Sequence, residues 1–177
     1  MKHDLSKATF IIPIKIESDD RLRNVITSIC YLLTNFETTV MVKEVDDQSR
    51  FVTEALPQII EYCDNIDGLL HSFEHTTAPT FHRQRVLNDM IMESKTDIVV
   101  NYDCDIILPV SSYVSAYNSI LDKEADVVYP YGDGDYQYRV MADDELVSEF
   151  LNDDDFSLSI LEKKASKYDA KYGFCQF

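Results

Sequence analysis

Two hydrophobic periods alternate along the first 130 residues. Apolar runs of strand length recur at residues 8–16 (ATFIIPIKI), 38–46 (TTVMVKEVD), 69–75 (LLHSFEH), 97–109 (DIVVNYDCDIILP) and 125–130 (ADVVYP). Helical spacing fills the gaps. Residues 18–36 place Leu22, Val25, Ile26, Ile29, Leu32 and Leu33 on one face, behind Ser18 or Asp19 as N-cap. Residues 50–65 predict a second helix, kinked or delayed by Pro57. Residues 80–95 predict a third, with Val86, Leu87, Met90 and Ile91 together, and residues 111–123 a fourth. The alternation predicts an α/β fold, a Rossmann-like and mainly parallel sheet flanked by helices. Pro13 cannot donate to a sheet ladder, so the first strand is expected to end there and turn outward.

After residue 130 the pattern changes. YGDGDYQY (131–138) is turn-rich, and its Asp133 begins a fragment like a calcium loop but without the rest of the EF-hand pattern. NDDDFSLSILEKKASKYDA (152–170) predicts an acid-capped helix, and YGFCQF (172–177) another strand. Residues 1–177 are read as a single domain. A strand-like apolar end without a polar tail suggests a chain cut short.

Composition narrows the function classes. With 45% hydrophobic and 27% charged residues, the chain is of ordinary globular type. Its formal net charge of −16 argues against nucleic acid as a partner, because phosphate contacts need an excess of Lys and Arg. A nucleotide would be repelled too, unless a divalent cation or a local basic cluster intervened. No apolar run approaches the ~20 residues of a membrane span, and no signal peptide is visible, so a cytoplasmic location is expected. Cys30, Cys63, Cys104 and Cys175 include no CxxC pair; buried free thiols are expected rather than two disulfides or a zinc site.

Candidate chemistry gathers in the run at residues 97–109. In an extended strand Asp103 and Asp105 would project to the same side. Two carboxylates aimed at one point repel unless a proton or cation lies between them, and oxygen ligation of this kind suits Mg²⁺ or Mn²⁺. Solvated turn aspartates are the plainer alternative. Arg83 and Arg85 begin the third helix, where the helix dipole favours acids. Either an anion such as a diphosphate accounts for them, or Arg85 pairs with Asp89 and Arg83 is merely solvated. Lys15 follows the first strand, Asp46 and Asp47 end the second, and His71, His75 and His82 are close in sequence without a metal-binding spacing.

Three stretches together, ATFIIPIKIESDDRLRNVI, FHRQRVLN and DIVVNYDCDIILP, resemble the nucleotide-sugar half of GT-A glycosyltransferases. The first is similar to the opening strand and loop of family-2-like enzymes. The second matches the Phe-x-Arg-x-x-x-Leu-Asn pattern of the β-1,4-galactosyltransferase type. The resemblance spans residues 8–130 and implies a GT-A fold transferring sugar from a nucleoside diphosphate sugar, UDP-linked by this likeness, to a glycan or other hydroxyl acceptor. It implies that Pro13 and Lys15 lie beside the nucleotide and that Asp46 recognises uracil or ribose. It places Phe81 and Arg83 against base and diphosphate, with Asn88 behind them. Asp103 would face the sugar or ribose, and Asp105, with Asp103 beside it, would bind Mn²⁺ or Mg²⁺.

The sequence departs from the family in one respect. The enzymes it resembles carry a carboxylate base, often within a Glu-Asp pair, and no Glu-Asp pair occurs here. A donor-binding fragment of a longer enzyme is therefore expected. A non-catalytic module retaining the fold is the second reading, and a nucleotidyltransferase the third, although IPIKIESDD has no glycine for a phosphate loop. An incomplete sheet would leave an edge or apolar face through which two copies could associate.

Overall fold

In the computed structural model, residues 2–131, 136–141 and 143–169 are described. The strand expected at residues 172–177, the turn at Asp133 and Cys175 lie outside them. Four parallel strands form the main sheet: β1 (His3–Ile14), β2 (Phe36–Asp46), β3 (Leu69–His75) and β4 (Ile98–Asn101), in the order β3-β2-β1-β4. The α/β architecture is as expected. β1 is central and buried on both faces, which explains why its residues read as a continuous apolar run.

The helices divide by face. α1 (Asp19–Asn35), capped by the Ser18 side chain on Arg21 N, links β1 to β2. A π-helical turn, Phe51–Ala55, runs into α2 (Leu56–Tyr62), with Pro57 in its first turn, and links β2 to β3. Both connections step in one direction across the sheet. α3 (Arg83–Glu93) steps back over β2 and β1 to β4, so a crossover of unchanged hand must lie on the opposite face. Phe10, Ile12 and Ile14 of β1 join the larger core with α1, while Ile11 points the other way to Val86, Leu87 and Met90 of α3. α4 (Val110–Leu121) adds Tyr113, Ala116 and Tyr117 to the larger core.

Several expectations need correction. Pro13 does not end the first strand; it pairs with Lys43 and β1 continues to Ile14. The Ile11 carbonyl accepts from Tyr102 N, so the backbone groups of Ile11, and by alternation of residue 13, face β4. The β4 ladder reaches only Ile11, hence the missing proline donor faces no partner strand among the described residues. Residues 125–130 form no strand. The single helix expected at residues 152–170 is replaced by a turn, α6 (Leu158–Glu162), and β6 (Ala165–Asp169). β6 pairs antiparallel with β5 (Tyr136–Val140) in a separate two-stranded sheet. Between them lies α5 (Asp144–Leu151), which the sequence reading missed; Asp143 caps it on Leu146 N, and Leu146, Val147, Phe150 and Leu151 are buried.

Near the carboxyl end of β2, Glu44 is fully buried yet completely engaged. It accepts from Ser49 Oγ (2.5 Å), Arg50 N (3.0 Å) and Phe51 N (3.1 Å), holding the entry to the π-helical turn. Removing the carboxylate leaves two backbone donors without it in a closed site. Glu44→Ala is expected to lower unfolding stability by about 2–4 kcal/mol. Urea denaturation followed by circular dichroism checks this; a loss below about 1 kcal/mol would contradict the bonding described.

Candidate functional site

A 3-2-1-4 strand order reverses direction between β1 and β4, and such a switch point opens a crevice at the carboxyl edge. On one side of it lies the segment after β1, Lys15 to Ser18; on the other lies the loop after β4, Tyr102 to Pro109. β4 stops at Asn101, short of the aspartates. Asp103 and Asp105 therefore do not lie on an extended strand, as the i,i+2 argument assumed, but in a turn closed by Ile106 N donating to Asp103 O (3.2 Å). The outward display persists by another route. Cys104 is buried in the core, Asp103 is half-buried and Asp105 is exposed.

Hydroxyl groups fix this loop from beneath. Ser28 of α1 donates to the Cys104 carbonyl (2.6 Å), and Tyr31, one turn further on, donates to the Leu108 carbonyl (2.8 Å). Tyr102 donates to the Ile106 carbonyl and meets Tyr113 Oη at 3.1 Å, while Tyr113 Oη accepts from Leu108 N at 3.0 Å. Burial pushes the Tyr31 hydroxyl up to about 12, so it stays a donor at any physiological pH. Burial likewise pushes the Cys104 thiol up to about 12, making it a packing residue rather than a nucleophile.

Charged groups from three elements converge above the loop. Arg83, the first residue of α3, forms an ion pair with Asp103 Oδ1 and also donates to Asn101 Oδ1 (3.2 Å). The two arginines of the helix start thus separate. Arg83 enters the crevice, whereas Arg85 turns away to Glu74 and, at 3.1 Å, Asp89. Burial raises the Asp103 pKa and outweighs the opposing pull of Arg83; the Asp105 charge raises it further. Lys15 Nζ lies 3.7 Å from Asp46 Oδ1 at the ends of β1 and β2, so these two expected residues also meet.

The other expected residues have plainer surroundings. Pro13 is buried beneath the crevice. Phe81 packs against the α3 core cluster, and Asn88 is exposed on α3. The three histidines do not assemble. His71 stacks on Phe51 at 4.4 Å, His75 Nδ1 contacts the Asp47 carbonyl at 3.1 Å, and His82 is exposed beside the start of α3. A shallow open depression of ≈ 520 Å³ is lined by His82, Arg83, Gln84 and Arg85.

Sequence reasoning missed Arg21. It is seven residues before Ser28, which on a helix is the same face two turns nearer the N-terminus, and Ser28 touches the Cys104 carbonyl. Arg21 consequently overhangs the aspartate turn, and its charge acts on both Asp103 and Cys104. The guanidinium forms no ion pair among the described residues, while Arg23, Arg50, Arg83 and Arg85 all do. Helical phase between Arg21 and Ser28 was readable in the sequence; the contact of Ser28 with the loop was not.

Among the described residues no three His, Cys, Asp or Glu side chains form a ready-made metal cage. Mg²⁺ and Mn²⁺ do not require one, since one or two carboxylates suffice when phosphate and water complete the shell. Asp103, poorly solvated, and Asp105, exposed beside it, fit such an ion in donor chemistry. No helix among the described residues is long and apolar enough to cross a membrane.

No protein-family profile and no curated protein matches the sequence. Among solved structures, one similar protein is a mannosyltransferase from Pyrobaculum calidifontis in complex with GDP-Man and Mn²⁺, with 16% identity and a TM-score of 0.49. The match covers 68% of this chain and 34% of that protein. Another is a protein named as a nucleotide-diphospho-sugar transferase from Desulfovibrio desulfuricans G20, with 12% identity and a TM-score of 0.41, covering 66% of this chain and 55% of that one. This chain therefore spans about a third and about half of their respective lengths.

The energetics of Asp103 are testable without any ligand. Asp103→Asn removes a poorly solvated charge together with its ion pair, so stability at pH 7 is expected to stay level or rise by up to about 1 kcal/mol. Arg83→Ala, which leaves the carboxylate without its partner, is expected to cost about 1–2 kcal/mol at this half-exposed site. Because the folded-state pKa of Asp103 is raised, its cost exists above that pKa and disappears as the carboxyl protonates in acid. Any advantage of Asp103→Asn should thus shrink as pH falls. Thermal denaturation across pH checks both variants, and a large drop for Asp103→Asn at pH 7 would overturn the assignment.

Proposed function

We propose that this chain is the donor-binding region of a metal-dependent glycosyltransferase of the GT-A type. The observation that carries the reading is that two ion pairs form at the carboxyl edge of the sheet: Lys15 with Asp46, and Arg83 with Asp103. In this reading a nucleoside diphosphate sugar, UDP-linked in the first instance, lies along the carboxyl edge of the sheet. Lys15 and Asp46 face its nucleoside, beside Pro13 and Phe81. Arg83 and Arg21 face the diphosphate from two helices, and Arg83 exchanges its Asp103 partner for phosphate oxygen.

Asp105 and Asp103 would hold Mn²⁺ or Mg²⁺ once Arg83 has turned to the phosphate. Bound there, the ion would supply Lewis-acid stabilisation of the diphosphate as the sugar C1–O bond breaks. The protein's own part is electrostatic: two guanidinium groups offset phosphate charge that an acidic chain of net −16 would otherwise repel. Transfer to an acceptor hydroxyl also needs a proton acceptor, and no residue of this chain is assigned that role. The lack of a Glu-Asp pair supports a second reading, a non-catalytic module that binds the nucleotide sugar without turning it over.

Titration calorimetry with UDP in the presence and absence of Mn²⁺, with GDP for comparison, tests the reading. Metal-dependent binding is expected, and Asp105→Ala should abolish the dependence on metal. Arg21→Ala should weaken UDP binding by about 5- to 20-fold while weakening uridine binding little, as loss of one charge-assisted phosphate contact predicts. No binding of either nucleotide with metal would overturn the proposal. Binding without hydrolysis or transfer of a UDP-sugar, in a longer version of the chain as well, would favour the module.

A further inference from the structure

The aspartate turn already holds a cation of the protein's own. Arg83 Nη2 pairs with Asp103 Oδ1 and, from the same nitrogen, donates to Asn101 Oδ1 at 3.2 Å. The guanidinium is therefore anchored twice, once on the last residue of β4 and once on the first aspartate of the turn that follows it. The pair is sheltered, with 29% of the Asp103 side chain exposed and 39% of that of Arg83. Asp105, two residues further on, is exposed and forms no ion pair among the described residues. Arg85, on the same helix start, pairs instead with Glu74 and Asp89, outside the crevice.

This geometry sets a competition. A divalent ion shared by Asp103 and Asp105 would lie about 2.1 Å from a carboxylate oxygen. A guanidinium bonded to the same carboxylate then stands roughly 4–5 Å from the ion, where the two positive charges repel even in a high dielectric. Metal and Arg83 cannot both hold Asp103 at full strength. A diphosphate removes the conflict, because it offers the guanidinium oxygens of its own and gives the metal further ligands. Arg83 also lines the open depression at the start of α3, so its long side chain has room to turn aside.

We propose that Arg83 is an internal counter-cation that holds the aspartate pair against divalent metal until a nucleoside diphosphate draws it away. The inference rests on the donor-site reading and adds a regulation to it. Metal without nucleotide is held weakly, and nucleotide raises the affinity for metal. By linkage, metal raises the affinity for nucleotide by the same factor. In a chain with 32 Asp and Glu residues, this lock keeps the site from filling with metal before the donor arrives.

Mn²⁺ binding to the full chain, followed by electron paramagnetic resonance of the free ion with and without saturating UDP, tests the lock. The part of the binding that Asp105→Ala removes defines the site. Arg83→Gln, which keeps a polar amide without the charge, is expected to bind Mn²⁺ alone about 10-fold tighter than the native chain. With UDP the gain should vanish or reverse, because Arg83 also serves the diphosphate. Arg85→Gln removes the same charge two residues away and should change Mn²⁺ affinity by less than about 2-fold. Asn101→Ala frees one anchor at unchanged charge and should tighten binding of Mn²⁺ alone by about 3-fold; it decides the matter if Arg83→Gln does not fold. A native chain that takes up no Mn²⁺ at this site even with UDP would overturn the donor-site reading and the lock together. Uptake with UDP but no gain in Arg83→Gln or Asn101→Ala, or an equal gain in Arg85→Gln, would overturn the lock and leave the donor site standing.

Discussion

The site rests on a set of buried hydroxyl groups. A loop that leaves a four-residue strand has little backbone pairing of its own, since among the described residues β4 pairs with β1 alone. Its carbonyls at Cys104, Ile106 and Leu108 are instead taken up by Ser28, Tyr102 and Tyr31, and Tyr113 accepts from Leu108 N. Each tyrosine buries a large ring in the core and brings one polar end to the loop. The aromatic cluster of Phe10, Tyr31, Phe36, Tyr102 and Tyr113 is thus both the packing centre of the larger core and the platform beneath Asp103 and Asp105.

That platform permits an electrostatic arrangement that would be unstable on a mobile loop. Asp103 is kept partly out of water and partly neutralised by Arg83, and burial wins over the ion pair. The three cations nearest the crevice come from different places in the fold: Lys15 after β1, Arg21 in the first turn of α1, and Arg83 at the start of α3. In a chain with twice as many acids as bases, 32 against 16, their gathering at one edge offsets the acids Asp46, Asp103 and Asp105 that share it.

Periodicity was sufficient for the main layers. Residues 8–16 and 38–46 had to be strands of a covered sheet because their apolar positions are continuous or alternate, and residues 18–36 had to be a helix because theirs recur at helical spacing. Lys15, Asp46 and Arg83 lie at or near element ends that the pattern marks, whereas Asp103 sits inside the apolar run at residues 97–109. What the sequence could not determine depends on neighbours distant along the chain. Pro13 is tolerated because β4 ends early on its other side, and Asp103 and Asp105 occupy a turn because hydroxyls from α1 and α4 capture the loop. Arg83 rather than Arg85 enters the crevice because only it reaches Asp103, and Arg21 matters only once Ser28 has docked on Cys104. Local pattern chooses elements because it acts through nearest neighbours; which side chains meet depends on contacts that close only when the sheet, with its strands out of sequence order, has assembled.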